Sequence, residues 1–242
     1  MTRRPVAAVV ALVVVGTAAV GCTSGGSTPD TPPTTPASSA ATSAPTGTTA
    51  ATFPPAPDPY RSPPVTLPTG PIELSTGPAP WPPPALANGG ANSADYVAAA
   101  GLPYGEETTQ VHYHAHLDIN IDGDKVEVPA YLGFVVKNGK ALGLAPLHTH
   151  DPTGIIHIEN SVPGKFVLGQ VLVEWGVRFT DRCLGSYCTG GGKDLAVFVN
   201  GTRIGGDPTR LVLTAHQEIA IEYGEAGNLP TPPSSYDFPE GD

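Results

Sequence analysis

The sequence predicts an α+β domain in which a small mixed or antiparallel sheet packs one face against one main helix. Several short segments alternate apolar and polar residues, which is the pattern of half-buried strands. Residues 167–175 instead have apolar side chains at helical spacing, at Leu168, Val171, Leu172 and Trp175. The dipeptides Asp122-Gly123 and Asn200-Gly201 follow two of the alternating segments and are typical of β-hairpin turns.

The predicted elements begin at residue 93. A short helix spans 93–100, with Ser93 as its N-cap and Gly101 at its end. Alternation then predicts strands at 111–122, 125–129, 155–159, 194–199 and 218–223, with the main helix between the third and the fourth. The fold of residues 131–144 is not specified by their pattern. The first two of these strands, the main helix and the last two strands, taken in this order, resemble a β-grasp fold.

Composition divides the chain into four parts. The 29 prolines, the 29 glycines and a charged fraction of only 14% indicate a long segment without a core. Residues 23–90 are rich in Pro, Thr and Ser and contain few large apolar side chains, so they predict a disordered, partly polyproline-II tether. The folded domain is expected at 91–226, residues 227–242 are expected to form a loose acidic tail, and residues 1–22 form a targeting segment.

The targeting segment contains Arg3-Arg4, an apolar run at 5–20 and then Cys22. Residues 19–22, Ala-Val-Gly-Cys, resemble the lipobox of a bacterial lipoprotein signal, although Ala19 stands where leucine is usual. The resemblance implies that the Cys22 thiol carries a lipid, with diacylglycerol and palmitate-type chains, and that the protein is anchored to the plasma membrane at the cell surface. An uncleaved anchor or simple secretion would also place the domain outside the cytoplasm.

Cys183 and Cys188 are the two remaining cysteines. The four residues between them allow the Cα atoms to come within disulfide range, and an extracytoplasmic compartment favours oxidation. We therefore predict a structural disulfide. The alternative is a reduced thiolate pair that binds Cu(I).

Six of the seven histidines lie between residues 112 and 157. His112, His114 and His116 occupy alternate positions of one strand, so their rings project to the same side, about 7 Å from one neighbour to the next. His148 and His150 repeat this spacing, and His157 lies on the polar face of 155–159. The alternation predicts that these rings lie on the outward side of the sheet, away from the core.

Clustered imidazoles indicate a site for Cu(II) or Zn(II), because neutral histidine is a common ligand of both ions. The outer pair, His112 and His116, is too widely spaced to share one ion, so one site should take two of the first three histidines and complete itself from the second cluster. The candidate ligands are His112, His114, His116, His148, His150 and His157. Among them we favour His114, His116, His148 and His150, with Asp118, Asp151 and Glu159 orienting the rings. The non-metal reading is a polar network or solvated surface histidines.

Three functions agree with these residues. The first is a membrane-anchored lipoprotein that binds, buffers or transfers Cu or Zn, together with a metal-exchange or envelope protein partner. The second is a small metallohydrolase in which Glu159 or Asp151 acts as general base. The third is a surface interaction module whose histidines respond to pH. Whether the protein is an enzyme is left open, with a preference for a non-catalytic role, because no nucleophile with an adjacent base can be identified.

The formal net charge of −10 excludes the basic surface that nucleic-acid binding requires. The motifs HxHxH at 112–116 and LHTHDPTGIIHIE at 147–159 also resemble a set of uncharacterised secreted or membrane-anchored bacterial and archaeal proteins. The resemblance covers about residues 105–225 and implies no activity.

Overall fold

A computed structural model describes residues 72–84, 93–137 and 140–241 of the 242-residue chain. The proposed lipid-bearing Cys22, the rest of the targeting segment and most of the tether lie outside these ranges. The described ranges form a mixed α+β fold, so the predicted class is confirmed. Within them, no helix combines the length and the apolar character needed to cross a bilayer.

The central sheet is built from strands that alternate apolar and polar side chains, together with short edge strands. The strands in chain order are β1 Val111–Ile121, β2 Asp124–Val126, β3 Phe134–Lys137, β4 Lys140–Leu144, β5 Leu147–His148, β6 Ile155–Asn160, β7 Cys183–Leu184, β8 Tyr187–Cys188, β9 Lys193–Val199, β10 Thr202–Ile204 and β11 Gln217–Glu225. The helices are α1 Ser93–Ala99 and α2 Leu168–Trp175, and a 3-10 turn spans Pro208–Arg210.

β1 is the middle strand of this sheet. It pairs in parallel with β11 on one side, and on the other side it pairs antiparallel with β6 along its first half and with β2 at its end. The sheet order is β10-β9-β11-β1-β6-β5. The first and the last long strands are therefore adjacent and parallel. β3 and β4 form a separate hairpin where the sequence specified no structure.

Both predicted hairpin turns are present. Asp122 and Gly123 connect β1 to β2 with φ angles of 54° and 91°. Asn200 and Gly201 connect β9 to β10 with φ angles of 49° and 75°. Positive φ at both central residues is the signature of the turn that matches strand twist, and Asn, Asp and Gly tolerate it best.

Helix α2 covers the apolar face of the sheet. It starts one residue later than predicted, at Leu168, and every one of its residues is buried. Its first turn is fixed by Gln170, whose Oε1 accepts from the Val167 N–H at 3.0 Å and whose Nε2 donates to the Ala100 carbonyl at 3.0 Å. Gly176 ends the helix in the left-handed conformation, with φ of 75°. The Gln170 contacts therefore tie α2 to the end of α1.

Ser93 begins α1, and its hydroxyl bonds to a strand of the domain. The Ser93 Oγ accepts a hydrogen bond from the Val136 N–H at 3.0 Å, so it connects α1 to strand β3. Ser93 is buried, which is unusual for a residue at the start of a surface helix. The short helix is thus held by tertiary contacts rather than by its own length.

Residues 72–84, which the composition assigned to the tether, pack against the domain. The Trp175 Nε1–H donates to the Trp81 carbonyl at 2.8 Å, and the two indoles meet edge to face with centroids 5.8 Å apart. Ser75 also exchanges backbone hydrogen bonds with Gly176 and Arg178. The folded part therefore includes residues N-terminal to 91, because the Trp81 indole is buried in the core despite the Pro-rich sequence around it.

Residues 227–241, predicted to be a loose tail, also lie against the domain. The Tyr236 ring stacks on His116 with centroids 3.7 Å apart, and the Phe238 ring stacks on His216 at 4.9 Å. The backbone and Cβ of Ser234 lie beside Gly201 in the β9–β10 turn. Two aromatic side chains thus attach an otherwise Pro-rich and acidic segment.

Cys183 and Cys188 are joined by a disulfide, as predicted, with their Cα atoms 4.1 Å apart. They face each other across the β7–β8 hairpin. Arg178 donates to the Gly185 carbonyl within the same loop, at 2.6 Å from its Nη2. With the sulfurs bonded to each other, the reduced Cu(I) pair is not the state of these cysteines in the structure.

Substitution of Trp81 tests whether residues 72–84 belong to the folded unit. Trp81→Ala removes a 95%-buried indole that contacts Trp175, so we expect the free energy of unfolding to fall by about 3 kcal/mol. Urea denaturation followed by Trp175 fluorescence measures the change. Val162→Ala, at a 60%-exposed position, is the control and should shift stability by less than about 0.5 kcal/mol. Equal, small effects would show that this segment does not contribute.

Candidate metal site

Strand register brings most of the predicted histidines together. In the antiparallel pairing of β1 with β6, His114 lies opposite His157 and His112 lies opposite Glu159. In the pairing of β5 with β6, His148 also lies opposite His157. Directly opposed residues have Cβ atoms about 5 Å apart, so the side chains of three strands meet on one face. We call this cluster the histidine site; it consists of His112, His114, His148, His150, His157 and Glu159.

The nitrogens of the histidine site converge. The His114 Nε2 is 3.1 Å from the His112 Nε2 and 2.9 Å from the His157 Nδ1. The Glu159 Oε1 is 3.3 Å from the His112 Nε2, 3.6 Å from the His157 Nδ1 and 3.8 Å from the His148 Nε2. Nitrogens that bind one tetrahedral ion at 2.0–2.1 Å are about 3.3 Å apart. These separations therefore match those of a coordination shell.

Two groups of potential ligands can be distinguished in the histidine site. One contains His112, His114 and His157, and the other contains His148, His150, His157 and Glu159. Within each group the ligand atoms all lie within 4.8 Å of one another. Either group can therefore hold a metal ion, and His157 belongs to both.

His148 is held ready to bind a cation. Its Nδ1 lies 3.0 Å from the Ala145 carbonyl, which can only accept, so the proton is on Nδ1 and the lone pair is on Nε2. That Nε2 is buried and has no hydrogen-bond partner within the described part of the chain. Burial lowers the pKa of His148 to about 4, so the ring is neutral at physiological pH. A neutral imidazole whose buried lone pair has no hydrogen bond can donate that lone pair to a metal ion.

Glu159 supplies the negative charge of the site. It is buried, and burial raises its pKa, as does the nearby negative charge of Glu107, while His112 and His150 oppose the increase. A buried carboxylate without a matching positive charge is costly. A bound cation would remove that cost.

His116 is placed in a different group from the other five histidines. Its Nδ1 is 2.7 Å from the Glu218 Oε2, and its Nε2 is 3.0 Å from the Thr153 carbonyl oxygen. Each ring nitrogen of His116 therefore faces an oxygen acceptor. His116, Asp118 and Glu218 form a third group with ligand-like spacing. Five of the six candidate ligands therefore lie in the histidine site together with Glu159, and His116 lies in the separate group.

Glu218 was missed because it lies on β11, about a hundred residues from His116. Parallel pairing of β1 with β11 places it directly beside His116. The alternation of 218–223 shows that Glu218 is on the polar face, but only the register shows which histidine it meets.

Asp118 and Asp151, which the sequence suggested as groups that orient the rings, have local partners instead. Asp118 pairs with Lys125 at 2.7 Å. Asp151 accepts from the Thr153 N–H and hydroxyl, and these hydrogen bonds lower its pKa.

The predicted outward side of the sheet is not exposed to solvent at three of these histidines. His114, His116 and His148 are each exposed by 2% or less. The Phe134 ring covers His148 and His150, with centroids 6.1 and 5.6 Å away, and Tyr236 covers His116. Gly133 allows this cover, since a side chain there would collide with Leu147 and the His148 Cβ. Three rings on this face are therefore buried, whereas His112 and His150 are exposed.

An open cleft of about 180 Å³ adjoins the histidine site. His148 and Glu159 contribute to its lining, together with Tyr104, Glu106 and Glu107. His112 and His150 are the most exposed members of the histidine site. Solvent can therefore approach the site through an acidic opening and over two exposed imidazoles, which favours access by cations.

Protonation of His148 should destabilise the metal-free protein. The pKa of this ring is about 6.5 in the unfolded chain and about 4 in the fold, so the unfolded state binds the proton first as the pH falls. The free energy of unfolding should decrease between about pH 6.5 and pH 4, by up to about 3 kcal/mol from this group.

The variant His148→Gln isolates this contribution because other titrating groups are common to both proteins. Urea denaturation at about pH 7.5 and pH 4.5 should show a smaller loss in the variant, by about 2 kcal/mol. If the variant and the unmodified protein lose equal stability, His148 does not remain neutral in the fold.

Comparisons with protein-family models, with curated proteins and with solved structures gave no significant match to this chain. What the histidine site does must therefore be inferred from its own residues.

Proposed function

We propose that this protein binds a divalent transition-metal ion, Cu(II) or Zn(II), at the histidine site. The observation that carries the proposal is the buried lone pair of His148 Nε2, which accepts no hydrogen bond within the described residues and lies 3.8 Å from the Glu159 Oε1. The nearby imidazole nitrogens have the mutual spacing of metal ligands. A cation placed among them would satisfy the lone pair and offset the Glu159 charge.

The donor set selects the metal class. Imidazole nitrogens dominate and one carboxylate accompanies them, a combination that suits Cu(II) and Zn(II) better than Mg²⁺ or Ca²⁺, which prefer oxygen ligands. Cu(II) binds most nitrogen sites more strongly than Zn(II). Zn(II) would therefore occupy the site only where free Cu(II) is scarce.

The proposed cellular role is metal buffering or transfer by a lipid-anchored extracytoplasmic protein. The lipobox-like residues 19–22 support the anchor, and the exposure of His112 and His150 supports ligand exchange with an envelope protein partner. A storage site closed on all sides would lack such exposed donors.

Metal titration tests the proposal. The protein, stripped with chelator, should bind Cu(II) or Zn(II) saturably in calorimetry at micromolar concentrations. Bound metal stabilises the fold by about 2.7 kcal/mol at a free concentration a hundred times Kd, so the thermal midpoint should rise. His148→Ala should weaken binding by at least about tenfold. His216→Ala, a histidine outside the site, is the matched control. Absence of saturable binding would exclude this function.

The lipid anchor is tested separately at Cys22. In a bacterial host with lipoprotein processing, Cys22→Ser should yield a protein whose intact mass lacks the acyl chains and that no longer partitions with membranes. The metal affinity should not change, because Cys22 is not one of the proposed ligands. An identical mass increase in both proteins would contradict lipidation at Cys22.

A metallohydrolase is a second candidate, favoured by the cleft beside His148 and Glu159. Catalysis at a metal centre requires a coordination position for water in addition to the protein ligands. Spectroscopy of the Co(II)-loaded protein distinguishes the roles. An exchangeable water on the ion supports hydrolysis, and a shell completed by protein ligands supports storage or transfer.

A further inference from the structure

We infer that the histidine site holds two cations side by side, bridged by the Glu159 carboxylate. This inference rests on the proposed function and specifies the form in which the metal is held. His112, His114 and His157 bind one ion, and His148 and His150 bind the other.

The number of donors exceeds what one ion needs. A tetrahedral Zn(II) site takes four ligands, and the histidine site offers five imidazoles and a carboxylate. The extra donors are not scattered: they fall into two groups, each with ligand atoms within 4.8 Å of one another. A single ion placed in either group would leave donors of the other group without a partner metal.

The histidines divide along the strands that carry them. His114 on β1 has its Nε2 within 3.1 Å of nitrogens of both His112 and His157. On the other side, His148 and His150 have ring centroids 4.9 Å apart and nearly perpendicular planes. Two nitrogens two residues apart on one chain segment form a chelating pair, so each half of the site has the start of its own coordination shell.

Glu159 lies between the halves. Its Oε1 is 3.3 Å from the His112 Nε2 and 3.8 Å from the His148 Nε2, so it contacts one member of each half. Its Oε2 is buried beside it. A carboxylate has two oxygens and can bind one ion with each, and two-metal sites of this kind hold their ions about 3.5–4 Å apart.

Charge compensation is available for a second ion. Two divalent ions this close repel each other strongly, and the Glu159 charge alone does not balance them. Glu106 and Glu107 line the cleft next to Glu159. The Glu107 carboxylate acts electrostatically on Glu159, so it is close enough to offset part of the additional positive charge.

Stoichiometry and magnetic coupling with Cu(II) test the inference. The chelator-stripped protein should retain two equivalents of Cu(II) after desalting, measured by elemental analysis. The electron paramagnetic resonance signal should grow with the first equivalent and decrease with the second, because two bridged Cu(II) spins couple. The exposed variant His150→Ala should retain one equivalent with an uncoupled signal, and His216→Ala should behave like the unmodified protein.

Glu159→Gln keeps the shape of the side chain and removes its charge, so it should weaken the second equivalent by at least tenfold and abolish the coupling. One equivalent in the unmodified protein would overturn the two-ion inference and leave the proposed function intact. No bound metal would overturn both. Two equivalents with the full signal of isolated ions, unchanged in Glu159→Gln, would overturn the bridge.

Discussion

The pairing of β1 with β11 on one side and with β6 on the other is the constraint on which the rest of the structure depends. Because side chains alternate along a strand, this one strand contributes Leu117 and Ile119 to the core and His114 and His116 to the opposite face. Its two neighbours then decide what the histidines meet: His157 on β6 for His114, and Glu218 on β11 for His116. A slip of one residue would exchange the two faces.

Burial of His114 and His148 gives the histidine site its chemistry. In water an imidazole lone pair is satisfied by solvent. Under the cover of Phe134, His148 is kept neutral and its Nε2 cannot reach solvent. Leaving a buried polar atom unsatisfied lowers the free energy of unfolding by about 1–3 kcal/mol, and cation binding would recover that free energy. The same unsatisfied nitrogen thus lowers the stability of the metal-free protein and provides the proposed metal ligand.

Local patterns in the sequence were sufficient to predict the α+β class, both hairpin turns, the main helix and the shared direction of His112, His114 and His116. Local patterns were insufficient to predict the contacts that arise when distant segments pair in the sheet. Neither the position of Glu159 opposite His112 nor that of Glu218 beside His116 has a local signature, because register is set by the whole sheet. Trp81 and Tyr236 were missed for a different reason: a single aromatic anchor is hidden by the Pro-rich composition around it.

X-ray absorption spectroscopy of the Zn(II)-loaded protein tests the central claim most directly, because it reads the ligand atoms themselves. We expect a first shell of nitrogen and oxygen at about 2.0–2.1 Å, with the outer-shell scattering of at least two imidazoles per zinc and no sulfur. A shell that contains sulfur at about 2.3 Å, or one made only of oxygen without imidazole scattering, would show that the metal binds elsewhere.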